Sequence, residues 1–184
     1  MNWEVITEAF LLGAALAADA AAASAALAAA GRWTFNWRKI LITAAFFGGF
    51  QLAMPLAGFY GSSFAGELVS SFGKYIAGVL LIGIGGKMFF DSQSDERKRF
   101  SIQQLLVLSL ATSMDAFLVG VSFQFQHRSN IFVDVIIIGI VTFLICIVGS
   151  LLGRWSGKLL GKNCIIPGAL ILVLLGIKVI FTAG

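Results

Sequence analysis

The chain has 184 residues, of which 59% are hydrophobic and only 12% are charged, and its formal net charge is +4. A soluble domain usually carries about 25% charged residues, whereas the apolar runs here reach roughly 20 residues, enough to cross a bilayer. The composition therefore excludes an ordinary soluble domain and predicts an all-α, polytopic membrane protein. The basic residues fall at predicted loops and helix ends, so the positive charge does not indicate nucleic-acid binding.

Six transmembrane helices are predicted, in chain order at about residues 5–30, 38–60, 66–90, 101–125, 131–153 and 164–183. The first run is not a signal peptide, because it lacks a basic start and because Asp19 interrupts its apolar segment. The two cysteines, Cys146 and Cys164, do not have the spacing of a disulfide framework or a zinc site. No nucleophile–base pair, phosphate-binding loop or haem motif occurs, so neither an enzyme nor an organic cofactor is expected.

Lysine and arginine are distributed unevenly between the predicted connectors. Ten lie in or beside the first, third and fifth connectors, whereas three, Lys74, Arg128 and Lys178, lie on the opposite side. Cytoplasmic loops are enriched in these residues. The distribution therefore predicts that both termini are outside and that the three odd-numbered connectors are cytoplasmic.

The first span contains the stretch ALAADAAAAS, in which one carboxylate stands among alanines. Between Ala14 and Ala30, 13 of 17 residues are alanine. An aspartate near the bilayer centre costs about 2.5–3.5 kcal/mol, and leucine returns only about 0.3–0.6 kcal/mol per residue. This span therefore needs packing inside a helix bundle, and its small side chains permit close helix approach.

The two halves of the chain, residues 1–95 and 96–184, resemble each other and are interpreted as two three-helix repeats. ALAADAAAAS aligns with LATSMDAFLVG when Asp19 is set against Asp115. AGVLLIGIGGKMFF aligns with PGALILVLLGIKVIF, with matching glycines 90 positions apart. An odd number of spans gives the halves opposite orientations. This is the inverted-repeat plan of many secondary transporters, whose substrate site lies near mid-membrane.

Asp19 and Asp115 each fall about halfway along a predicted span, in helices of opposite direction. We expect them to face one another, and two close carboxylates repel unless a cation lies between them. Thr112 lies three residues before Asp115, on the same helix face, and would add an oxygen ligand. The pattern indicates a divalent-cation site or a coupled proton and cation site. The alternative is a protonated acid hydrogen-bonded to a neighbouring helix.

The second span adds candidate ligands in GGFQLAMPLAG. Gln51 and Met54 are three residues apart and share a helix face, while Pro55 removes a backbone donor and can open the helix. An amide oxygen, a freed carbonyl and a thioether would complement the carboxylates for a borderline metal, because a thioether disfavours the hardest ions. The alternative is that Met54 packs and Pro55 only kinks the helix.

Two further features are assigned to structure. Gly153, Gly157 and Gly161 form a doubled GxxxG pattern, which we expect to serve close helix packing. Lys87 and Lys178 end the third helix of each half, and we expect both to snorkel to the interface. No lysine or arginine is therefore expected at mid-membrane.

These motifs together resemble the MntP family of bacterial manganese efflux pumps, within the LysE-like transporter superfamily. The resemblance rests on AADAAAAS, ATSMDAFLVG, FQLAMPLAGF and GIGGKMFF and covers essentially the whole chain. It implies a six-helix exporter in the bacterial inner membrane that lowers cytosolic Mn²⁺. The resemblance also implies that Asp19 and Asp115 are essential and that Gln51, Met54 and Pro55 occupy matching positions.

The chain departs from the family pattern at two places. Alanines surround Asp19 where bulkier residues are usual, and the last span begins with NCIIPG where some members have an acidic residue. The first departure leaves the size of the cavity, and hence the metal preference, open. The second leaves open whether any carboxylate stands at that cytoplasmic entrance.

The resemblance implies Mn²⁺ as the transported substrate, exported by alternating access. Coupling to proton import is a hypothesis, motivated by carboxylates whose protonation depends on metal occupancy. A monomer and a homodimer are both compatible with the sequence. Two rivals stand beside this interpretation: a LysE-like exporter of another cation or small solute, and a non-transporting membrane protein that organises an assembly. A substrate with its own carboxylate would require basic groups at mid-membrane, where none is expected.

Overall fold

The computed structural model describes residues 3–30, 36–91, 102–125, 131–160 and 165–181, which form six α-helices. They are α1 (Trp3–Ala30), α2 (Trp37–Asp91), α3 (Ile102–Thr112), α4 (Met114–Phe125), α5 (Ile131–Leu160) and α6 (Ile165–Phe181). The predicted all-α class is confirmed. Asn36 caps α2, because its Oδ1 accepts a hydrogen bond from the Lys39 backbone N–H at 3.1 Å.

The helix count agrees with the prediction, but the divisions between helices differ. The predicted spans 38–60 and 66–90 both belong to α2, and the predicted span 101–125 is divided at Ser113 into α3 and α4. The segment between these two predicted spans, GSSFA, contains no proline, so its backbone can remain helical. The division at Ser113 has a different cause, which lies in its hydroxyl neighbours and is described below.

The two halves of α2 lie side by side, although the whole segment is helical. Ile40 packs beside Ala28, near the end of α1. Gly85 lies against Ala169 of α6, and the glycine preceding Ala169 lies against Ala26 of α1. Both ends of α2 therefore reach the same end of α1. A straight helix would separate Ile40 from Gly85 by about 68 Å, so the chain reverses direction between the two halves, as two separate spans would.

Within the described residues, four segments are long and apolar enough to cross a membrane, and they coincide with four of the six predicted spans. They are Ile6–Ala29, Trp37–Ser62, Ile102–Gln124 and Ile131–Ser156. The described part of α6 is shorter, and its apolar stretch is Gly168–Lys178. The chain is therefore a multi-pass helical membrane protein.

Helix α5 shows how these segments meet lipid on one side and protein on the other. Large apolar side chains, each about half exposed or more, follow one another every three or four residues along one face: Phe132, Ile136, Ile140, Leu144, Val148, Leu152 and Trp155. The opposite face is buried and includes Val135, Ile138, Thr142 and Cys146. A continuous apolar face of this kind suits contact with acyl chains, where backbone polar groups must be satisfied within the helix.

Glycines set the contact between α2 and α5. Gly48 and Gly139 lie against each other, and a Cβ on Gly48 would stand 2.9 Å from the Gly139 carbonyl oxygen and 3.0 Å from Phe143 Cβ. Leu52 packs on Gly139 in turn. Because later residues of α2 meet earlier residues of α5, these two stretches run antiparallel. We refer to this place as the central glycine contact.

The remaining close contacts also use small residues. Gly58 of α2 lies against Phe117 of α4, and Gly149 of α5 lies against Ala21 of α1. Gly153 lies against Ala25, with no room for a Cβ, so close packing is confirmed at the first glycine of the GxxxG pattern. The surroundings of Gly157 and the whole of Gly161 lie outside the described residues. Alanines of α1 that pack in this bundle, Ala17, Ala20 and Ala23, are fully buried.

Candidate functional site

Asp19 faces a lysine from the last helix. Lys178 Nζ lies 4.0 Å from Asp19 Oδ1, and the side chain of Asp19 is 22% exposed whereas that of Lys178 is 68% exposed. The two helices run antiparallel, since Gly168 of α6 lies against Ala26 of α1. Lys178 therefore reaches the middle of the apolar stretch Ile6–Ala29.

This pair corrects two expectations. Lys178 does not extend away from the protein to the interface but lies beside a carboxylate in the middle of α1. The expectation that no basic residue reaches mid-membrane is therefore wrong for Lys178. The sequence assigned the lysine to the end of a span, and only helix packing shows that α6 ends level with Asp19. The corresponding side chain of Lys87 lies outside the described residues.

Gln51 is buried between helices, with one end of its amide satisfied. Its side chain is 1% exposed, and its Nε2 donates to the Leu16 carbonyl oxygen of α1 at 3.1 Å. Leu16 precedes Asp19 by three residues and therefore shares its helix face. The Gln51 Oε1 atom has no hydrogen-bond partner. Buried amide oxygens are nearly always paired in folded proteins, so this oxygen is suited to receive a cation or its water.

The helix carrying Asp115 is irregular just before that residue. Ser109, Thr112 and Ser113 each donate their hydroxyl hydrogen to backbone carbonyls one turn earlier, with the shortest bond, Ser113 Oγ to Ser109 O, at 2.7 Å. The Ser113 N–H is shared between Ser109 O at 3.2 Å and Leu110 O at 3.3 Å. Such back-bonding bends helices, which explains the division between α3 and α4.

Thr112 and Asp115, on either side of Ser113, differ in how deeply they are buried. Thr112 is 5% exposed, and its hydroxyl donates to Leu108 O at 3.0 Å and to Ser109 O at 3.2 Å. Its oxygen lone pairs still have acceptor capacity. Asp115 is partly buried, in the first turn of α4. The bend at Ser113 thus sets the direction from which Asp115 projects.

Pro55 does not break its helix, contrary to the expectation. The backbone of α2 remains helical through Pro55, and Gly120 of α4 lies directly against the proline backbone. Packing against Gly120 holds this segment in place. Since Pro55 has no backbone N–H, the Gln51 carbonyl lacks the donor that a helix normally supplies four residues later. Met54 is partly buried. The backbone departs from regular helix at Ser113 and not at Pro55.

The expectation that Asp19 and Asp115 face one another stays a prediction, and the glycine contacts give the position of each along the bundle. Asp19 lies two residues before the contact with Gly149, and Asp115 lies two residues before the contact with Gly58. Gly58 follows Gly48 on α2 by ten residues, and Gly149 follows Gly139 on α5 by ten residues. The two helices are antiparallel at the central glycine contact.

The structure also reveals a buried acid that the sequence reasoning missed. Asp134, in the first turn of α5, has no exposed surface. The signal was present, because an aspartate falls inside the predicted span 131–153. Among the described residues, three hydroxyl oxygens are buried without a hydrogen-bond partner: Thr43 Oγ1 on α2, and Thr142 Oγ1 and Ser150 Oγ on α5. Oxygen atoms with unused capacity therefore occur on both helices of the central glycine contact.

Among the described residues, no three His, Cys, Asp or Glu side chains come together as a metal-binding group. The oxygen donors instead occur in small sets: a carboxylate with an amide near Asp19, and a carboxylate with hydroxyls near Asp115. A resident structural or catalytic metal usually has three or four protein ligands. The described residues therefore bring together no His, Cys, Asp or Glu ligand set of that size.

Ionisable and amide side chains held inside a bundle of membrane-crossing helices are typical of membrane transport proteins. Residues 34–180 match the family described as "Putative manganese efflux pump" (MntP). The chain therefore belongs to the MntP family of manganese efflux pumps.

Three relatives with the same description illustrate the relationship. The protein from Methanothermobacter thermautotrophicus is 42% identical over 142 residues, covering 76% of this chain and 77% of the relative. That from Methanosarcina barkeri is 39% identical over 175 residues, 93% of each chain. One from Clostridium botulinum is 40% identical over 150 residues, 73% of this chain and 74% of the relative. No solved structure matches the chain.

The family match includes Asp115 but begins after α1. Its first residue, 34, follows the alanine-rich helix that carries Asp19. Lys178, the partner of Asp19, lies within the matched residues.

Proposed function

We propose that this protein exports Mn²⁺ across the cytoplasmic membrane by alternating access. The observation that carries the substrate is membership of the manganese efflux family, supported by a relative that matches 93% of both chains. The observation that supports a cation path is the buried Gln51 amide oxygen, unpaired and one helical turn from the backbone level of Asp19. Mn²⁺ accepts carboxylate, carbonyl and water ligands.

Asp19 and Asp115 serve, in this proposal, as two successive carboxylates on the path. Gln51 Oε1 and its backbone carbonyl, freed by Pro55, complement Asp19, while the Thr112 hydroxyl complements Asp115. Met54, one turn after Gln51, adds a thioether that favours Mn²⁺ over harder ions. Each carboxylate with few neutral donors binds weakly enough to release the ion, as conduction requires.

The proposal includes two inverted repeats, residues 1–95 and 96–184. Paired contacts support it. Gly149 follows Gly58 by 91 positions, and Phe117 follows Ala21 by 96. The contact of Gly58 with Phe117 thus corresponds to the contact of Gly149 with Ala21. The separation of 96 is also that between Asp19 and Asp115.

A second pair of contacts obeys the same separations. Ser24 Oγ donates to the Cys146 carbonyl oxygen at 3.3 Å, and Gly120 lies against Pro55. Gly120 follows Ser24 by 96 positions and Cys146 follows Pro55 by 91. Inverted repeats of this kind provide two halves that can rock against each other around a path in the membrane.

The third helices of the proposed repeats correspond at 91 positions rather than the 90 of the sequence alignment. Gly78 lies against Gly176, and Gly85 lies against Ala169. With a separation of 91, Gly78 corresponds to Ala169 and Gly85 to Gly176, so each contact maps onto the other. The separation of 90 pairs the glycines by identity but does not reproduce their contacts.

The proposal is tested by Mn²⁺ transport. Wild type, Asp19→Asn and Asp115→Asn are reconstituted in liposomes, and Mn²⁺ uptake is followed with a fluorescent indicator inside. We expect uptake by wild type and a loss of at least tenfold in each variant, because each removes a carboxylate from the path. Glu8→Gln is the matched control, since Glu8 is exposed on the same helix as Asp19. Wild-type liposomes that take up no more Mn²⁺ than empty ones would reject the proposal.

Proton coupling is tested in the same liposomes. Metal binding to a carboxylate competes with protons. An exporter that exchanges Mn²⁺ for protons should therefore transport faster when the pH gradient drives protons in the direction opposite to Mn²⁺. Equal uptake rates with and without a pH gradient, in vesicles with a clamped membrane potential, would count against coupling and leave export itself standing.

A further inference from the structure

The contact between Asp19 and Lys178 is a loose ion pair at the end of α6. Lys178 is the third residue before the last residue of α6, and its Nζ lies 4.0 Å from Asp19 Oδ1. A distance of 4.0 Å is the outer limit of an ion pair, and most of the lysine side chain is uncovered by protein. The ammonium group is therefore attached to the carboxylate loosely and can leave it without unpacking the core.

The position of the pair in the membrane favours its formation when no metal is bound. Asp19 lies near the middle of the apolar stretch Ile6–Ala29 with Lys178 beside it, where an isolated aspartate or lysine is energetically unfavourable. Pairing offsets part of that cost for both side chains at once. α6 is held level with Asp19 by glycine contacts that Gly168 makes with α1 and Gly176 makes with α2.

We propose that Lys178 is the built-in counter-ion of Asp19, which the transported cation must displace from the carboxylate and which returns when the cation leaves. This inference rests on the proposed function. The lysine keeps Asp19 neutralised in the empty transporter and lowers its affinity for the cation, which assists release. A Mn²⁺ ion carries twice the charge of the ammonium and so displaces it at sufficient concentration.

The chemistry distinguishes this role from two others for the same lysine. A lysine that only anchors α6 at a lipid interface would not influence the concentration of Mn²⁺ at half-maximal rate. A lysine that binds the carboxylate of an organic substrate would be required for transport, and its loss would abolish activity. A displaceable counter-ion predicts a third pattern, in which loss of the lysine tightens binding and slows release.

The test compares Lys178→Gln, Lys178→Arg and wild type in the Mn²⁺ liposome assay. We expect Lys178→Gln to lower KM roughly two- to fivefold, the range expected for removing a partly exposed ion pair, and to lower kcat because release from Asp19 is slower. Lys178→Arg should restore both values toward wild type. Lys39→Gln is the matched control, because it removes the same charge at the start of α2.

Direct binding gives a second readout that does not depend on turnover. Mn²⁺ titration of detergent-solubilised protein should show tighter binding in Lys178→Gln than in wild type by the same factor. An unchanged or higher KM, or weaker Mn²⁺ binding, in a Lys178→Gln protein that folds would overturn the inference while wild-type export stands. Absence of wild-type export would overturn the proposed function and this inference with it.

Discussion

Gln51 on α2 donates a hydrogen bond from Nε2 to the backbone carbonyl oxygen of Leu16 on α1, at 3.1 Å. The bond fixes the orientation of the amide, so that Oε1 is the atom left without a partner. It also joins the two helices one turn from Asp19. The amide nitrogen of Gln51 thus joins the two helices, whereas its oxygen has no partner and is available to bind a cation.

Replacement of Gln51 should therefore affect transport more than folding. We expect Gln51→Ala to raise KM for Mn²⁺ by roughly tenfold, because a buried polar partner contributes about 1–3 kcal/mol. Gln51→Glu should bind Mn²⁺ more tightly through its added charge and lose the bond to Leu16. Gln103→Ala is the control, since Gln103 is exposed on α3. Equal KM values for Gln51→Ala and wild type would remove Gln51 from the cation path.

The central glycine contact should tolerate no added methyl group. Gly48→Ala would place a Cβ 2.9 Å from the Gly139 carbonyl oxygen, and overpacking of this kind costs about 1–3 kcal/mol. Gly49→Ala, at the next position, meets nothing within 4 Å and should stabilise α2 by about 0.5–1 kcal/mol. Thermal unfolding in detergent measures both. A Gly48→Ala protein as stable as Gly49→Ala would show that α2 and α5 are farther apart than described.

The irregularity at Ser113 should matter for activity more than for stability. Ser113→Ala removes the bond from Oγ to Ser109 O, and we expect unfolding to change by less than about 0.5 kcal/mol because such bonds compete with the helix. Mn²⁺ turnover should fall, since a straighter helix turns Asp115 to a new direction. Ser62→Ala, which loses a similar bond to Phe59 O, should transport normally. Normal turnover in Ser113→Ala would separate the bend from function.

The orientation of the chain in the membrane is a prediction from charge alone. Lysine and arginine favour the first, third and fifth predicted connectors by ten to three, which places both termini outside. A reporter enzyme active only outside the cytoplasm should work when fused to the C-terminus and fail when inserted after residue 95. The reverse pattern of activity would invert the topology and the direction of transport assigned here.

Prediction from sequence was accurate where a property depends on local composition. Apolar runs of about 20 residues identify membrane helices without any tertiary information, and the structure confirms the helical class and four of the spans. Close packing at Gly153 was also predicted, because small residues in membrane helices have few other uses. Family membership, finally, follows from local motifs such as ATSMDAFLVG.

Prediction was less accurate where a property depends on how helices meet. The proline at position 55 left open whether the helix opens or only kinks, and α2 continues through it in contact with Gly120. The hydroxyls around Ser113 divide the span that carries Asp115, which the sequence predicted as one continuous helix. In both cases the outcome depends on hydrogen bonds and neighbours that a linear pattern does not contain.

By itself, the sequence determined that this chain spans the membrane as helices, that aspartates stand inside them, and that it belongs to a manganese efflux family. Hydrophobicity and motif identity are properties of consecutive residues, so no fold is needed to recognise them. Only the tertiary structure decided that Lys178 meets Asp19 and that Gln51 meets Leu16. These relationships depend on the register of antiparallel helices, which glycine contacts far apart in the chain establish.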